Sequence, residues 1–250
     1  MDADTRIGGP HHGFPQTRHS VLIAAKNDNA AVREQAFDEL VAAYWKPVYK
    51  YIRIKWSASN EDAKDLTQEF FTAAFEKSFF KPYDPGRSKF RTYLRTCVDG
   101  IVMNARKASA RIKRGGHMEI LSLDFEMAER EMATTPASTS VGPEELFERE
   151  WIRSLFALAV DDLRIQCDRA GKSTHFTLFE RYDLDPPAER RLNYAELAAE
   201  FEIPATQVTN HLSYARSEFR RHVLDRLGRL TGSDEEFRSE ARRILGIDVK

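Results

Sequence analysis

Apolar residues recur at helical spacing along most of this chain. The first clear run has members three or four positions apart, which predicts one buried face of a helix. Its members are Ala36, Phe37, Leu40, Val41 and Tyr44. Proline lacks the N–H that a helix interior requires, so we expect Pro47 to break or restart this helix before Val48–Trp56.

Two further helices are predicted in the first half of the chain. One begins at Ser59 or Asn60, with acidic residues in its first turn, and runs to about Phe79. The loop KPYDPGRS follows, where prolines and a glycine favour turns. A second long helix starts near Lys89 and runs past Arg111 to two glycines.

The helical pattern fades and then returns in the second half. Residues 116–142 lack periodicity and contain ATTPASTSVGP, which is typical of a linker. Helical signal resumes at Glu144. Residues 192–221, LNYAELAAEFEIPATQVTNHLSYARSEFRR, predict two helices joined by a tight turn at EIP. A last helix follows Ser233, which forms a capping box with Glu236.

Strand-like alternation does not recur, so the predicted fold is all-α, with two helical domains joined by a flexible linker. The predicted segments are a tail at 1–17, a helical domain at 18–115, the linker at 116–143, a second helical domain at 144–228 and a C-terminal helical extension at 229–250.

Composition narrows the class of protein. The formal net charge of the 250 residues is −1, so only the local distribution of charge can indicate a nucleic-acid partner. Cys97 and Cys167 form no CxxC pair and are expected to be thiols of a reducing compartment. We predict no membrane span and no secretory signal, and therefore a cytoplasmic location.

One segment is strongly basic. Residues 86–116 contain nine Lys or Arg and one acid, Asp99, for a net charge of +8. Such a block can neutralise several phosphates, and unpaired bases can stack on nearby aromatic rings. The aromatic residues concerned are Phe79, Phe80, Tyr83, Phe90 and Tyr93. The alternative is a solvated basic helix whose aromatic residues belong to the core.

The predicted helix before this block carries an acidic face. Asp62, Asp65 and Glu69 fall on one side of it. They could form a docking face for a basic partner, or simply cap the helix and face solvent. A metal site is disfavoured because no histidine lies at ligand spacing and one helix cannot complete a coordination shell.

The helix pair at 192–221 has the outline of a DNA-reading unit. Its start resembles a capping box, and its second helix is expected to bury one apolar face. Polar side chains that can reach base edges would then face outward, although a hairpin that merely packs is the alternative. Five Lys or Arg and five Glu cancel between residues 189 and 221, so this unit is not expected to hold DNA strongly alone.

Taken together, DAKDLTQEFF, FRTYLRTCVDGIVMNARKASARIKR and LNYAELAAEFEIPATQVTNHLSYAR resemble three motifs of bacterial sigma factors of the two-domain, extracytoplasmic-function type. The order is that of the region 2 core-binding helix, the helix that melts and reads the −10 element, and region 4, which reads the −35 element. The resemblance covers roughly Ser20 to Val223. It makes 18–115 a region 2-like domain and 144–228 a region 4-like domain.

The resemblance implies roles for individual residues. Core-polymerase binding falls to Asp62, Asp65, Gln68 and Glu69. Binding of −10 DNA falls to Phe80, Tyr83, Arg87, Lys89, Arg91, Arg95, Asn104, Arg106, Lys107 and Arg111, with a flipped base held by the loop at 79–88. Binding of −35 DNA falls to Thr206, Gln207, Thr209, Asn210, Ser213 and Arg216.

The implied protein is a non-enzymatic specificity subunit without a metal or cofactor. Its expected partners are core RNA polymerase, through the β′ clamp helices and the β flap, and promoter DNA, with an anti-sigma factor or other regulator as a further candidate. The alternative is a helix-turn-helix regulator that binds duplex DNA without polymerase. One departure from the family is Glu202, which occupies the usual turn glycine and would cost about 1 kcal/mol in a left-handed conformation.

Overall fold

The computed structural model describes residues 21–25, 29–76, 79–109, 123–134, 141–185 and 192–249, and within these ranges the regular secondary structure is helical. The all-α prediction is therefore confirmed. The helices are α1 (Val21–Ala24), α2 (Ala30–Lys55), α3 (Asn60–Glu76), α4 (Phe90–Ser109), α5 (Phe125–Thr134), α6 (Pro143–Arg169), α7 (Ser173–Phe179) with a π-helical continuation (Glu180–Leu184), α8 (Tyr194–Glu200), α9 (Ala205–Leu230) and α10 (Asp234–Leu245).

Helix α2 is continuous, so the prediction that Pro47 breaks it was wrong. Asn29 caps the helix, its side chain accepting hydrogen bonds from the N–H groups of Ala31 and Val32. Pro47 removes one backbone donor, but it is buried in the middle of the helix. We attribute the continuity to packing, because both halves of α2 belong to the same apolar cluster.

Helix α6 packs along α2 through aromatic rings and one buried ion pair. Tyr44 of α2 stacks with Phe147 and Trp151 of α6, with ring centroids 6.4 Å apart in both pairs. Lys50 and Glu150 are nearly inaccessible to solvent, and their charged atoms are 2.7 Å apart. Because an unpaired buried charge is costly, this pair also fixes the register of the two helices.

The apolar side chains form two clusters. The first unites α1 to α4, α5, the first half of α6, the end of α9 and α10. The second contains the end of α6, α7, α8 and the beginning of α9. Helices α6 and α9 thus run through both clusters, and the segment predicted as a second domain contributes to the first cluster as well.

Part of the predicted linker is an ordered helix. Phe125 of α5 is buried, its ring 5.7 Å from that of Trp45 and 5.0 Å from that of Tyr49. Glu129 pairs with Arg53 at 2.8 Å. The flexible linker prediction therefore does not describe residues 125–134, because buried aromatic and charged contacts hold them on α2.

The turn between α8 and α9 has the predicted form. Asn193 and Glu196 make both hydrogen bonds of the capping box at the start of α8. Glu202 has a φ angle of 54°, the left-handed conformation considered from the sequence. Pro204 is the N-cap of α9, a position at which its missing N–H costs little.

The start of α10 differs slightly from the predicted capping box. The hydroxyl of Ser233 accepts a hydrogen bond from the Glu236 N–H at 3.1 Å. The Glu236 carboxylate accepts from the N–H of Gly232 at 2.9 Å, rather than from that of Ser233. Ser233 is therefore the N-cap as predicted, and only the backbone N–H that the Glu236 carboxylate accepts from is one residue earlier than in a capping box.

Candidate polymerase and nucleic-acid interface

The acidic residues of α3 lie on its outer face. Asp62, Asp65 and Glu69 are exposed, and Gln68 is half-buried. Ser59 caps the helix by accepting a hydrogen bond from the Asp62 N–H at 3.1 Å. The structure thus keeps the four predicted core-binding residues on one accessible helix, whose opposite side buries Phe70.

A cleft of about 440 Å³ runs between α3 and the start of α5. Asp65 and Gln68 line one side of it, and Asp124 and Glu126 line the other. The acidic face of α3 therefore continues onto the segment that precedes α5. The sequence motif gave no indication of this continuation, because the two segments are about sixty residues apart.

The basic and amide side chains predicted to bind −10 DNA divide into two sets. The first set is exposed: Arg87, Asn104, Arg106 and Lys107. Arg106 lies over the ring of Trp56, with its guanidinium carbon 5.0 Å from the ring centroid. Asp99, the single acid in the basic block, is occupied by Lys55 at 2.8 Å and by Trp56 Nε1 at 3.0 Å. Arg111 lies outside the described residues.

The second set consists of Lys89, Arg91 and Arg95, which pair with acidic side chains of α6 and α10. Arg91 is 1% exposed, and its guanidinium lies 3.8 Å from the centroid of the Trp151 ring. Its Nε donates to Glu148 at 3.0 Å, and its Nη2 lies 2.9 Å from Glu240. Burial alone would lower the pKa of Arg91, but Tyr44, Glu148 and Glu240 together outweigh it and the pKa is raised.

Two neighbouring cations are engaged by the same acids. Lys89 pairs with Glu240 at 2.5 Å. Arg95 lies 3.6 Å from Glu148 and over the ring of Phe147 at 5.5 Å. Burial by itself raises the pKa of Glu240, but Arg91, Lys89 and Arg243 together lower it to about 2.

The aromatic residues of the loop before α4 belong to the core. Phe80 and Tyr83 are buried and pack edge-on against Phe90, with ring centroids 5.4 and 5.1 Å away. The Tyr93 hydroxyl donates to the Phe79 carbonyl at 2.6 Å. In this conformation neither Phe80 nor Tyr83 can stack on a base, so the core alternative describes the structure and base stacking would require the loop to open.

The polar side chains predicted to meet −35 DNA mostly face outward. Those exposed on α9 are Thr206, Gln207, Thr209, Asn210 and Ser213. The opposite face buries Val208, Leu212 and Ala215, as the spacing predicted. Arg216 differs, because its guanidinium is paired with Asp183 at 2.8 Å and lies over the ring of Tyr182. It therefore braces α9 against the π-helical segment.

Sequence reasoning missed the residues that cover α4. From the sequence alone, Glu148 and Glu240 are expected to be ordinary exposed acids on helices. One signal was present, since Glu236 and Glu240 precede Phe237 and Ala241 and so lie on the same helix stripe. Acids that share a stripe with apolar residues indicate buried cations on the partner helix.

Within the described ranges no helix is long and apolar enough to cross a membrane. The same part of the chain contains no group of three or more His, Cys, Asp or Glu side chains placed to hold a metal ion. Both cysteines are unbridged.

Comparison with known proteins gives one family match. Residues 40–112 match the family model of sigma-70 region 2, a stretch that includes most of α2, α3, the loop before α4 and α4 itself. No curated protein and no solved structure matches the chain. The acidic face lies inside the matched stretch, and so do seven of the nine cations of the basic block. Residues 40–112 are therefore similar to region 2 of the sigma-70 family, whose members are non-enzymatic transcription initiation factors, and the match supports membership of that family and a role in polymerase binding and promoter melting.

Proposed function

We propose that this protein is a two-domain sigma factor of the extracytoplasmic-function type, which joins core RNA polymerase and directs it to promoters. The observation that carries the proposal is the family match at 40–112, because it includes both the exposed acidic face of α3 and the basic helix α4. In this function polymerase performs the chemistry, and the chain supplies docking and sequence choice.

In the proposed arrangement the exposed face of α3 docks on the β′ clamp helices. Asp62, Asp65 and Glu69 are accessible and of one sign, which suits a basic partner and favours rapid association. The cleft toward α5 adds Asp124 and Glu126 to the same acidic surface. This surface stays clear of the contacts that cover α4.

DNA contact is divided between two helices. The exposed end of α4, with Asn104, Arg106 and Lys107, would meet the −10 element and supply phosphate contacts. Gln207 and Asn210 of α9 would meet base edges of the −35 element. The segment that contains α8 and the first part of α9 has no net charge. We therefore expect most of the affinity for DNA to come from the polymerase and from α4.

The deciding experiment is reconstitution with purified core polymerase, followed by run-off transcription from genomic promoter fragments. We expect copurification with core and initiation that depends on the added protein. Binding to duplex DNA without core, together with no initiation, would instead support the helix-turn-helix regulator.

A charge reversal tests the docking face. Asp65→Lys with Glu69→Lys lies beyond the capped first turn of α3, so it should leave the helix intact while weakening core binding at least about 100-fold, as expected for a close charge cluster. Glu34→Lys with Asp38→Lys is the matched control, since it makes the same charge change on the exposed side of α2. Equal core binding by both double variants would refute the proposed face.

A further inference from the structure

Side chains of α10 and of the start of α6 pair with three cations at the beginning of α4: Lys89, which directly precedes the helix, Arg91 and Arg95. The three cations face two carboxylates, those of Glu148 and Glu240. Glu240 is fully buried, although it belongs to a helix near the end of the chain. A buried acid on α10 therefore already neutralises Arg91, one of the cations predicted to bind DNA.

The contact extends beyond charge. Gly232, in the connection to α10, lies against the loop before α4: a Cβ atom at this position would lie 2.6 Å from the Tyr83 hydroxyl and 3.1 Å from Pro85. Arg243 of α10 joins Glu240 at 2.6 Å and Glu148 at 3.4 Å. Trp151 of α6 closes the cluster by stacking on Arg91. The connection that leads into α10 thus packs against the loop that would accept a flipped base, while α10 itself supplies Glu240 to the cations.

We propose that α10 is an autoinhibitory lock, in which Glu240 and Glu148 stand in for DNA phosphates and keep the −10-binding face closed in the free chain. This inference rests on the proposed function. The acidic face of α3 lies outside the lock, so polymerase could dock first on the closed form. Release of α10 would then expose Arg91 to the promoter and free Lys89, which is already 45% exposed, from its ion pair with Glu240.

The lock predicts that freeing the cations strengthens DNA binding by the chain alone. The test uses the full chain, a fluorescein-labelled single-stranded oligonucleotide of mixed sequence and a titration at several salt concentrations. We expect Glu148→Gln with Glu240→Gln to raise affinity about tenfold at low salt. The dependence of log K on log salt should steepen by about 0.7 for each cation that reaches a phosphate.

Matched variants separate the lock from a simple change of net charge. Glu145→Gln with Glu235→Gln removes two carboxylates from the same two helices at exposed positions, so it should leave affinity near that of the wild type. If the Glu148 and Glu240 double variant stays folded by circular dichroism and binds no better than this control, the lock is refuted.

A steric variant opens the same contact without changing charge. Gly232→Ala should collide with Tyr83 and raise DNA affinity, whereas Gly142→Ala, whose added Cβ meets only an ordinary contact at 3.8 Å, should not. Hydrogen exchange on the unmodified chain needs no variant. Amides of α10 should lose protection when the oligonucleotide saturates the protein, and unchanged protection would overturn the proposal.

The outcome for the lock is independent of the outcome for the function. Stronger DNA binding by the variants, combined with no copurification of the wild type with core polymerase, would retain the lock and reject the sigma role. Wild-type transcription with core, combined with unchanged DNA binding by folded variants, would retain the sigma role and reject the lock.

Discussion

At the scale of single residues, the neighbours of a charged side chain decide its role. Arg91 and Arg106 are both arginines of α4, within the same basic block. Arg106 is exposed beside Trp56, to whose carbonyl it donates a hydrogen bond, whereas Arg91 is enclosed by Trp151, Glu148 and Glu240. The resemblance to sigma factors implied a DNA-binding role for both, because both lie in the motif similar to the −10-reading helix. The difference comes from helices more than fifty residues away.

Glu202 provides a test at this scale. Its φ angle of 54° is unfavourable for a residue with a Cβ atom. Glu202→Gly should relieve that strain, and after the entropy cost of glycine we expect the free energy of unfolding to rise by about 1 kcal/mol. Chemical denaturation measures this change in the free energy of unfolding. Ala195→Gly, inside α8, should lower stability by about 1 kcal/mol, and a similar loss for Glu202→Gly would contradict the argument.

A histidine pair gives the second cluster a dependence on pH. The rings of His175 and His211 are stacked with centroids 3.8 Å apart, and burial lowers the pKa of both. The unfolded chain therefore binds protons first as pH falls, so stability is full above about pH 6.5 and decreases below it. Urea midpoints at pH 7.5 and 5.5 should differ less in His175→Phe with His211→Phe. If the difference between the two midpoints is the same in this double variant as in the wild type, the histidine pair does not cause the pH dependence of stability.

At the scale of elements, tertiary contacts outweigh local propensity in two helices. Helix α2 remains continuous through Pro47 because both of its halves bury side chains in the first apolar cluster. Helix α5 lies in a stretch whose composition predicts a linker, yet Phe125 and Ala128 are buried and Glu131 pairs with Lys46 and Lys50. Short helices are marginal alone, so α5 depends on this docking.

The docking of α5 can be tested by removing its anchor. Phe125→Ala should cost about 3 kcal/mol and let α5 open locally, so that its amides exchange about 100-fold faster. Hydrogen exchange measures the effect on α5 separately from α2. Met127→Ala changes an exposed side chain of the same helix and should leave exchange nearly unaltered. Equal exchange in the two variants would mean that Phe125 does not anchor α5.

At the scale of the whole molecule, two long helices connect the clusters. Leu155 and Leu163 of α6 are both fully buried, the former in the first cluster and the latter in the second. Helix α9 likewise carries Leu212 in one and Leu227 in the other. Melting either cluster would fray helices on which the other depends. We therefore expect the described helices to unfold in one cooperative transition.

The tryptophans offer a direct test of this coupling. Trp45, Trp56 and Trp151 all belong to or pack against the first cluster. Leu212→Ala weakens the second cluster by about 2–5 kcal/mol, and it should still lower the urea midpoint reported by tryptophan fluorescence. Leu184→Ala, at an exposed position, should shift it little. A fluorescence midpoint unmoved by Leu212→Ala would show that the clusters unfold separately.

The sequence alone was sufficient where neighbouring residues specify the structure. Helical periodicity identified the buried face of α9, and capping residues identified the starts of α3 and α8. The exposed carboxylates of α3 also followed from local spacing, because a surface residue needs no distant partner. These features depend on contacts within a few residues along the chain.

Only the tertiary structure decided which of the predicted DNA-binding residues are accessible. Arg91 is buried because side chains of α6 and α10 pack against it, and Phe80 and Tyr83 are buried in the core, where both rings pack against Phe90. That arrangement depends on ion pairs and ring contacts between residues up to about 150 positions apart, which no local pattern encodes. The sequence by itself determined the helices and the chemistry of their faces. The packing of those helices determined which face meets solvent and which meets the protein itself.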